Sequence, residues 1–256
     1  MIENLYASFI NLDHRTDRLA RMEAELQKIN LRVVRTRGIP WKEIPESSDT
    51  YVMRHRTPGA IGCHFSQVSV MKEAQRQGKN AIVFEDDIHF CEDFDSRFAE
   101  ILDWQSKNEW DVFWLGASFH VNPPYWHPVG ESGMRPNCSA NLGYDAKCTS
   151  DPRIIRTYGA YVTFAYMVNF NSMDRIFNLF DENLKYSIGI DWLFIKLQPI
   201  LRCFCYVPGL VMQIDNESDI GTGMTVWSGQ LKNGPYVFQE RKEDFNPEAF
   251  DWAECR

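Results

Sequence analysis

The apolar run Asn80-Ala81-Ile82-Val83-Phe84 leads without a spacer into Glu85-Asp86-Asp87. A strand that sits in a core does not end in three carboxylates without compensation, because clustered like charges repel. A divalent cation removes that conflict. Hard cations such as Mg²⁺ or Mn²⁺ take oxygen ligands, and they bridge one or two carboxylates to substrate phosphates. Residues i and i+2 of an extended segment point to the same side. Glu85 and Asp87 are therefore expected to share one face as metal ligands, with Asp86 turned away. A solvated acidic turn after a strand is the alternative reading.

The segments around this triplet set the expected architecture. Leu5 to Leu12 reads as a short strand that closes on Asn11-Leu12-Asp13. Leu19, Met22, Leu26 and Ile29 then recur at helical spacing, with Asp13 or Thr16 available to cap the start. Leu31 to Arg35 reads as a second strand, and residues 41–57 as polar and irregular. Pro58-Gly59 opens a helix that carries Ile61, Phe65, Val68 and Met71 and stops at Gly78. A helix over Asp95–Trp104 and a strand over Asp111–Leu115 follow. This alternation predicts an α/β fold with a mostly parallel sheet flanked by helices. Ligands of such sheets bind at the carboxyl ends of the strands. Asn11-Leu12-Asp13 and Glu85-Asp86-Asp87 both fall there.

Residues 117–158 are rich in Pro, Gly, Asn and aromatics and read as an irregular loop or insertion in a single domain spanning 1–256. A loop of that length is often a lid or a binding loop, and Tyr125 and Trp126 are candidates to shape an acceptor site. Beyond it, strands are expected over Tyr161–Val168 and over Cys203–Ile214, the latter interrupted at Pro208-Gly209. Helices are expected over Met173–Phe180 and Ile190–Leu197.

Several polar residues in this frame are candidates for chemistry. Asp191 opens the apolar stretch GIDWLFIKL. It reads either as a helix cap or as a general base that takes a proton from an attacking hydroxyl. Trp192 beside it either stacks on a sugar or packs. Arg15 and Arg18 follow the first strand; they read either as diphosphate or base contacts or as solvated helix charge. Ser218-Asp219-Ile220-Gly221-Thr222-Gly223 is either a phosphate-cradling loop or an ordinary turn. His64 and Ser66 lie on the second long helix, where a lone His is more often structural.

Composition removes some classes. The formal net charge is −8 and there is no long basic run, which argues against nucleic acid as a partner. No apolar run is long enough to span a membrane, and the first residues lack the pattern of a secretory signal. Seven cysteines, an odd number without a CxxC pair, read as reduced thiols, and a cytoplasmic location is expected. Cys138 and Cys148 flank a loop and are the pair that an oxidising compartment would join.

Four segments together resemble glycosyltransferase family 25, the group of lipooligosaccharide and collagen galactosyltransferases. They are Phe9 to Arg18, Pro58 to Ser66, Ala81 to Asp87, and Pro208 to Ile220 with Gln213 and Ser218-Asp219-Ile220. Ala165 to Val168 also fits. Gln67 stands where the family usually has His after Ser66. The resemblance covers roughly residues 4–222 apart from the loop. It implies a GT-A-type nucleotide-diphospho-sugar transferase fold, a UDP-sugar donor, Mn²⁺ or Mg²⁺, and inversion at the anomeric carbon. Glu85, Asp87 and Gln213 would serve the metal. Asn11, Leu12, Arg15, Arg18, Asp86, Ser218 and Asp219 would serve the donor, and Asp191 would be the base. The expected activity is hexose transfer, of galactose or glucose, to a hydroxyl of a glycan or a hydroxylated protein. The rival reading is a GT-A-like module that binds a glycan or protein without turnover; a nucleotidyltransferase would open with a Gly-rich loop instead.

Overall fold

The computed structural model describes residues 2–119, 144–145, 149–187, 189–207, 209–214, 216–217, 219 and 224–225. Tyr125, Trp126, Cys138, Cys148 and Ser218, singled out above, lie outside the described residues. Within them the chain forms β1 (Leu5–Asn11), α1 (Thr16–Leu26), β2 (Val33–Arg37), α2 (Tyr51–Arg56), α3 (Pro58–Arg76), β3 (Asn80–Phe84), β4 (Ile88–Phe90), α4 (Phe94–Gln105) and β5 (Val112–Trp114). It continues with β6 (Ser118–Phe119), β7 (Tyr144–Asp145), β8 (Ile154–Thr157), β9 (Ala160–Tyr161), β10 (Ala165–Val168), α5 (Met173–Asn183) and α6 (Ile190–Leu197). The last strands are β11 (Cys203–Tyr206), β12 (Val211–Gln213), β13 (Asn216–Glu217) and β14 (Met224–Thr225).

An 8-stranded sheet in the order β2-β1-β3-β10-β5-β11-β8-β7 forms the centre. β2, β1 and β3 are parallel, β11 is parallel to β5, and β10 runs antiparallel between β3 and β5. β8 and β7 extend the far edge by antiparallel pairing. Only β10 and β8 therefore run against the common direction. This is the expected α/β sheet flanked by helices, and the reversal of β10 decides what reaches the site.

Alternation along the central strands buries both faces. Ala81, Val83, Val112, Trp114, Tyr166 and Val168 face a core with α3, α5 and α6. Ile82, Phe84, Phe113, Leu115, Ala165 and Met167 face the opposite core with residues of α1 and α4. A side chain placed just past β3 is thus directed by its parity toward α3 or toward α1.

Several sequence expectations are corrected. The second strand is displaced to Val33–Arg37, and the stretch over 41–57 contains a 3₁₀ turn and the helix α2, whose Met53 is fully buried. α1 ends at Leu26, so Ile29 packs from the following turn. Its start carries no side-chain cap, because Asp13 is held instead by Arg35 and Arg37 and Thr16 already lies inside the helix. The stretch expected over Tyr161–Val168 divides into β9 and β10. The segment Cys203–Ile214 is two strands: β11 stays in the main sheet, while β12 leaves it to pair with β4. Leu210 and Val211 turn the chain there by donating their N–H groups to Leu115 O. Within the expected loop 117–158, β8 is a buried strand of the main sheet. No helix of the described residues is long and apolar enough to cross a membrane.

α3 approaches the chain before it very closely at Gly62. A Cβ there would stand 2.5 Å from the Ile39 carbonyl oxygen and 3.2 Å from the Trp41 nitrogen. One turn on, Ser66 Oγ donates to Gly62 O at 2.6 Å and accepts from Ile39 N at 2.8 Å. Gly62 and Ser66 are thus the seat on which residues 39–41 rest. Gly62→Ala should force these backbones apart at a cost of about 1–3 kcal/mol, as overpacking does. A urea titration showing an unchanged midpoint would refute this close contact.

Candidate active site

The carboxyl ends of β1 and β3 lie side by side and carry the polar residues anticipated from the sequence. Asn11 is 1% exposed. Its Nδ2 donates to Asp86 Oδ2 at 2.7 Å and to Arg15 O at 3.1 Å, and its Oδ1 accepts from Arg35 Nε at 3.0 Å. Arg18, on the buried face of α1, donates to Asp86 Oδ1 at 2.8 Å and lies 3.3 Å from Asp87 Oδ2. Both oxygens of Asp86 are therefore engaged by the protein. Leu12 supports the turn into α1, where its carbonyl accepts Arg15 N at 2.9 Å.

The acid triplet does not divide as alternation suggests. Glu85 and Asp86 follow the parity of β3, Glu85 toward α3 and Asp86 toward α1. At Asp86 and Asp87 the chain bends before β4, and Asp87 joins Asp86 at the Arg18 guanidinium. Asp86 is therefore not turned away from Asp87, and Asp87 is the neighbouring acid whose charge acts most strongly on Glu85. Gln213, reached through the β4–β12 pairing, donates from Nε2 to both oxygens of Asp87 at 3.2 Å. Ile214 N donates to Asp87 O at 2.7 Å. Arg15 bonds Asp17 and Asp219, while Arg18 and His14 stand 3.9 Å and 3.8 Å from the Asp219 carboxylate. The basic residues at the start of α1 thus gather around one exposed acid.

On the α3 side, Glu85 enters a buried polar cluster. Its Oε1 accepts from Gln67 Nε2 at 3.0 Å and from Cys63 Sγ at 3.6 Å. Gln67 Nε2 also lies 3.2 Å from Thr163 Oγ1, and Tyr166 Oη donates to Gln67 Oε1 at 2.8 Å. Thr163 Oγ1 in turn donates to Asp191 Oδ1 at 2.8 Å. Asp191 lies in the first turn of α6, where its carboxylate accepts from its own backbone N–H as well as from Thr163. The Glu85 residue is partly exposed, but its carboxyl is enclosed. Burial pushes that carboxyl well above the usual range, and the charges of Asp87, Asp191 and Asp86 push it further. Burial also raises Asp191, opposed by the Thr163 hydroxyl and its own backbone N–H. Burial raises the Cys63 thiol as well.

Gln67, Thr163 and Tyr166 belong to this site, although their types gave no chemical signal. Gln67 departs from the usual residue of the resembling family, yet it is 0% exposed and central to the cluster. Its signal in the sequence was an amide on the buried, mostly apolar face of α3, where it needs partners. Val162, before Thr163, has a φ of 72°. A β-branched residue there is a true outlier, and such strain costs about 1–3 kcal/mol and gathers at functional sites. The turn is held by Trp114 Nε1 donating to Val162 O at 3.0 Å and by Glu85 N donating to Phe164 O at 2.8 Å. His64 is a structural residue: burial lowers it to about 4, and it packs on Phe65 and Phe180.

The donor set suits a hard cation. All acidic and amide candidates offer oxygen, and the charges of Asp87, Asp191 and Asp86 that act on Glu85 mark a crowding of acids that a divalent ion would relieve. Among the described residues no group of three His, Cys, Asp or Glu side chains forms a ready cage. A cation here would therefore rest on one or two carboxylates and take its other ligands from water and phosphate.

Residues 6–181 match the model of glycosyltransferase family 25, described as an LPS biosynthesis protein. The match covers more than half of the chain, and this chain belongs to glycosyltransferase family 25. It is 30% identical over 123 residues to a human protein named procollagen galactosyltransferase 2, a stretch covering 42% of this chain and 20% of that protein. It is 32% identical over 123 residues to procollagen galactosyltransferase 1-A of Xenopus laevis, again 42% and 20% of the two chains. A cattle protein named probable inactive glycosyltransferase 25 family member 3 is 31% identical over 132 residues, or 44% of this chain and 22% of that protein. The match thus spans about a fifth of these relatives' length. Asp191 and Gln213 lie beyond the family match.

The raised Asp191 carboxyl has a consequence for stability. Unfolded, it titrates near 3.8; folded, it titrates higher, so the native state holds the proton longer. Stability is therefore lost as pH rises through the folded value. Asp191→Asn should make the protein more stable than wild type at neutral pH, with the gain absent below pH 3.8. Urea midpoints that show no gain at neutral pH would contradict the enclosure of this carboxylate.

Proposed function

We propose that the chain is a glycosyltransferase of GT-A type that moves a hexose, galactose or glucose, from a UDP-sugar to an acceptor hydroxyl. The observation that carries this reading is the placement of Asp191. It is an enclosed carboxylate aimed by Thr163, charge-coupled to the same acid cluster as Asp87 and Arg18. The acceptor class is a glycan or a hydroxylated protein, the latter supported by the names of the procollagen galactosyltransferases.

In this reading Asp191 removes the proton of the acceptor hydroxyl as its oxygen attacks the anomeric carbon. The bond from that carbon to UDP breaks on the opposite face, so configuration inverts. Arg15 and Arg18 hold the diphosphate, for which planar guanidinium groups suit paired oxygens; in the free protein the carboxylate of Asp219 answers Arg15. Asn11 and Asp86 fix the position of Arg18 and the turn at Arg15. Gln213 orients Asp87. A divalent cation held by Asp87 and Glu85 would act as a Lewis acid on the departing diphosphate.

UDP release from a panel of UDP-hexoses, with and without Mn²⁺, tests the proposal. Asp191→Asn should lower kcat by about 10²–10⁴-fold, the usual contribution of general acid–base catalysis. Asp87→Ala should remove the Mn²⁺-dependent part. Full activity in either variant, with the donor verified, would overturn the corresponding role. A second reading, glycan or protein binding without turnover, is favoured by relatives whose names include "inactive". It predicts no UDP release from any donor.

A further inference from the structure

Among the described residues Gln67 is the buried amide that connects both acidic groups of the site, and Tyr166 fixes which end of it is which. Its carbonyl oxygen accepts from the Tyr166 hydroxyl. The NH₂ group must therefore face Glu85 and Thr163. An amide has two N–H donors, shared here among Glu85 Oε1 at 3.0 Å, Thr163 Oγ1 at 3.2 Å and Cys63 Sγ at 3.2 Å, while the Thr163 hydroxyl donates to Asp191. Tyrosine, glutamine and threonine all donate in the direction of the carboxylates. Such a buried chain is strong only when every member is satisfied. The strained Val162 contributes by turning the backbone just before Thr163.

We propose that Gln67, locked by Tyr166, is the positioning residue of this enzyme. It holds Glu85 directly and Asp191 through Thr163, so that the cation-side acid and the base keep one fixed relation. The relay does not touch the donor. It acts on turnover rather than on binding. This inference rests on the reading of Asp191 as the base.

The test pairs kinetics with crystallography. Gln67→Met removes the amide at similar volume, and Gln67→Glu keeps the shape but replaces the donor with a further acidic group. Thr163→Val removes only the hydroxyl, and Thr163→Ser returns it. The proposal expects Gln67→Met and Thr163→Val to lower kcat for hexose transfer by about 10–100-fold, the usual cost of losing an orienting partner. The donor KM and the UDP affinity measured by calorimetry should hold. Gln67→Glu should be no better than Gln67→Met, and Thr163→Ser should recover most of the wild-type rate. Crystal structures of Thr163→Val should show the Asp191 carboxylate rotated from its wild-type position. Unchanged kcat, a loss confined to KM, or failure of Thr163→Ser to recover would overturn the relay. If wild-type protein releases no UDP from any UDP-hexose, the enzymatic reading fails. The relay is then decided by the crystal structures alone, and an unmoved Asp191 in Thr163→Val overturns it.

Discussion

The arrangement depends on concentrated negative charge at one edge of the sheet. Glu85, Asp86, Asp87 and Asp191 meet where the first and third strands end, and three of them repel the Glu85 carboxyl. The protein meets this in two ways. On the α1 side the buried guanidinium of Arg18 pairs with Asp86 and Asp87, and Asn11 and Gln213 add neutral donors. On the α3 side no cation among the described residues pairs with the acids: Gln67, Cys63 and Thr163 donate hydrogen bonds to Glu85 and Asp191. Among the described residues one half of the site is balanced by charge and the other by dipoles.

The two halves follow from the sheet. Successive residues leaving β3 are sent to opposite faces, so Glu85 is given to one core and Asp86 to the other. The bend before β4 then recruits Asp87 to the Arg18 side. The acid triplet spans the strand end, with Asp87 acting on Glu85 through its charge while sharing Arg18 with Asp86. It divides a site between two layers of helices.

Much of this was legible. The apolar runs that became β1, β3 and β5, and the spacing of Ile61, Val68 and Met71 in α3, located the parallel elements and the shared edge. Asn11, Arg18, Asp86 and Asp87 were anticipated together and meet. Other features were not readable. α2 is one short turn-and-a-half of helix, too brief for periodicity to register, and β8 is four residues at the end of a Pro- and Gly-rich stretch. The reversed placement of β10 is a long-range pairing with no local signature. Gln67 and Thr163 are 96 positions apart, and neither residue type is acidic, basic or nucleophilic enough to attract attention by itself. Their importance comes from what surrounds them.

The reversal of β10 shapes how such a chain can diverge. A parallel strand would bring its exit to the site, whereas β10 brings its entrance, the segment Val162–Phe164. The residues just before it are tied down by β8 against β11. The long stretch between β6 and β8 is thus spliced in upstream of two anchored strands. A change of length between β6 and β7 would enter the chain upstream of these anchored strands, so the position of Thr163 is set by the pairing of β8 and β10 and not by the length of that stretch.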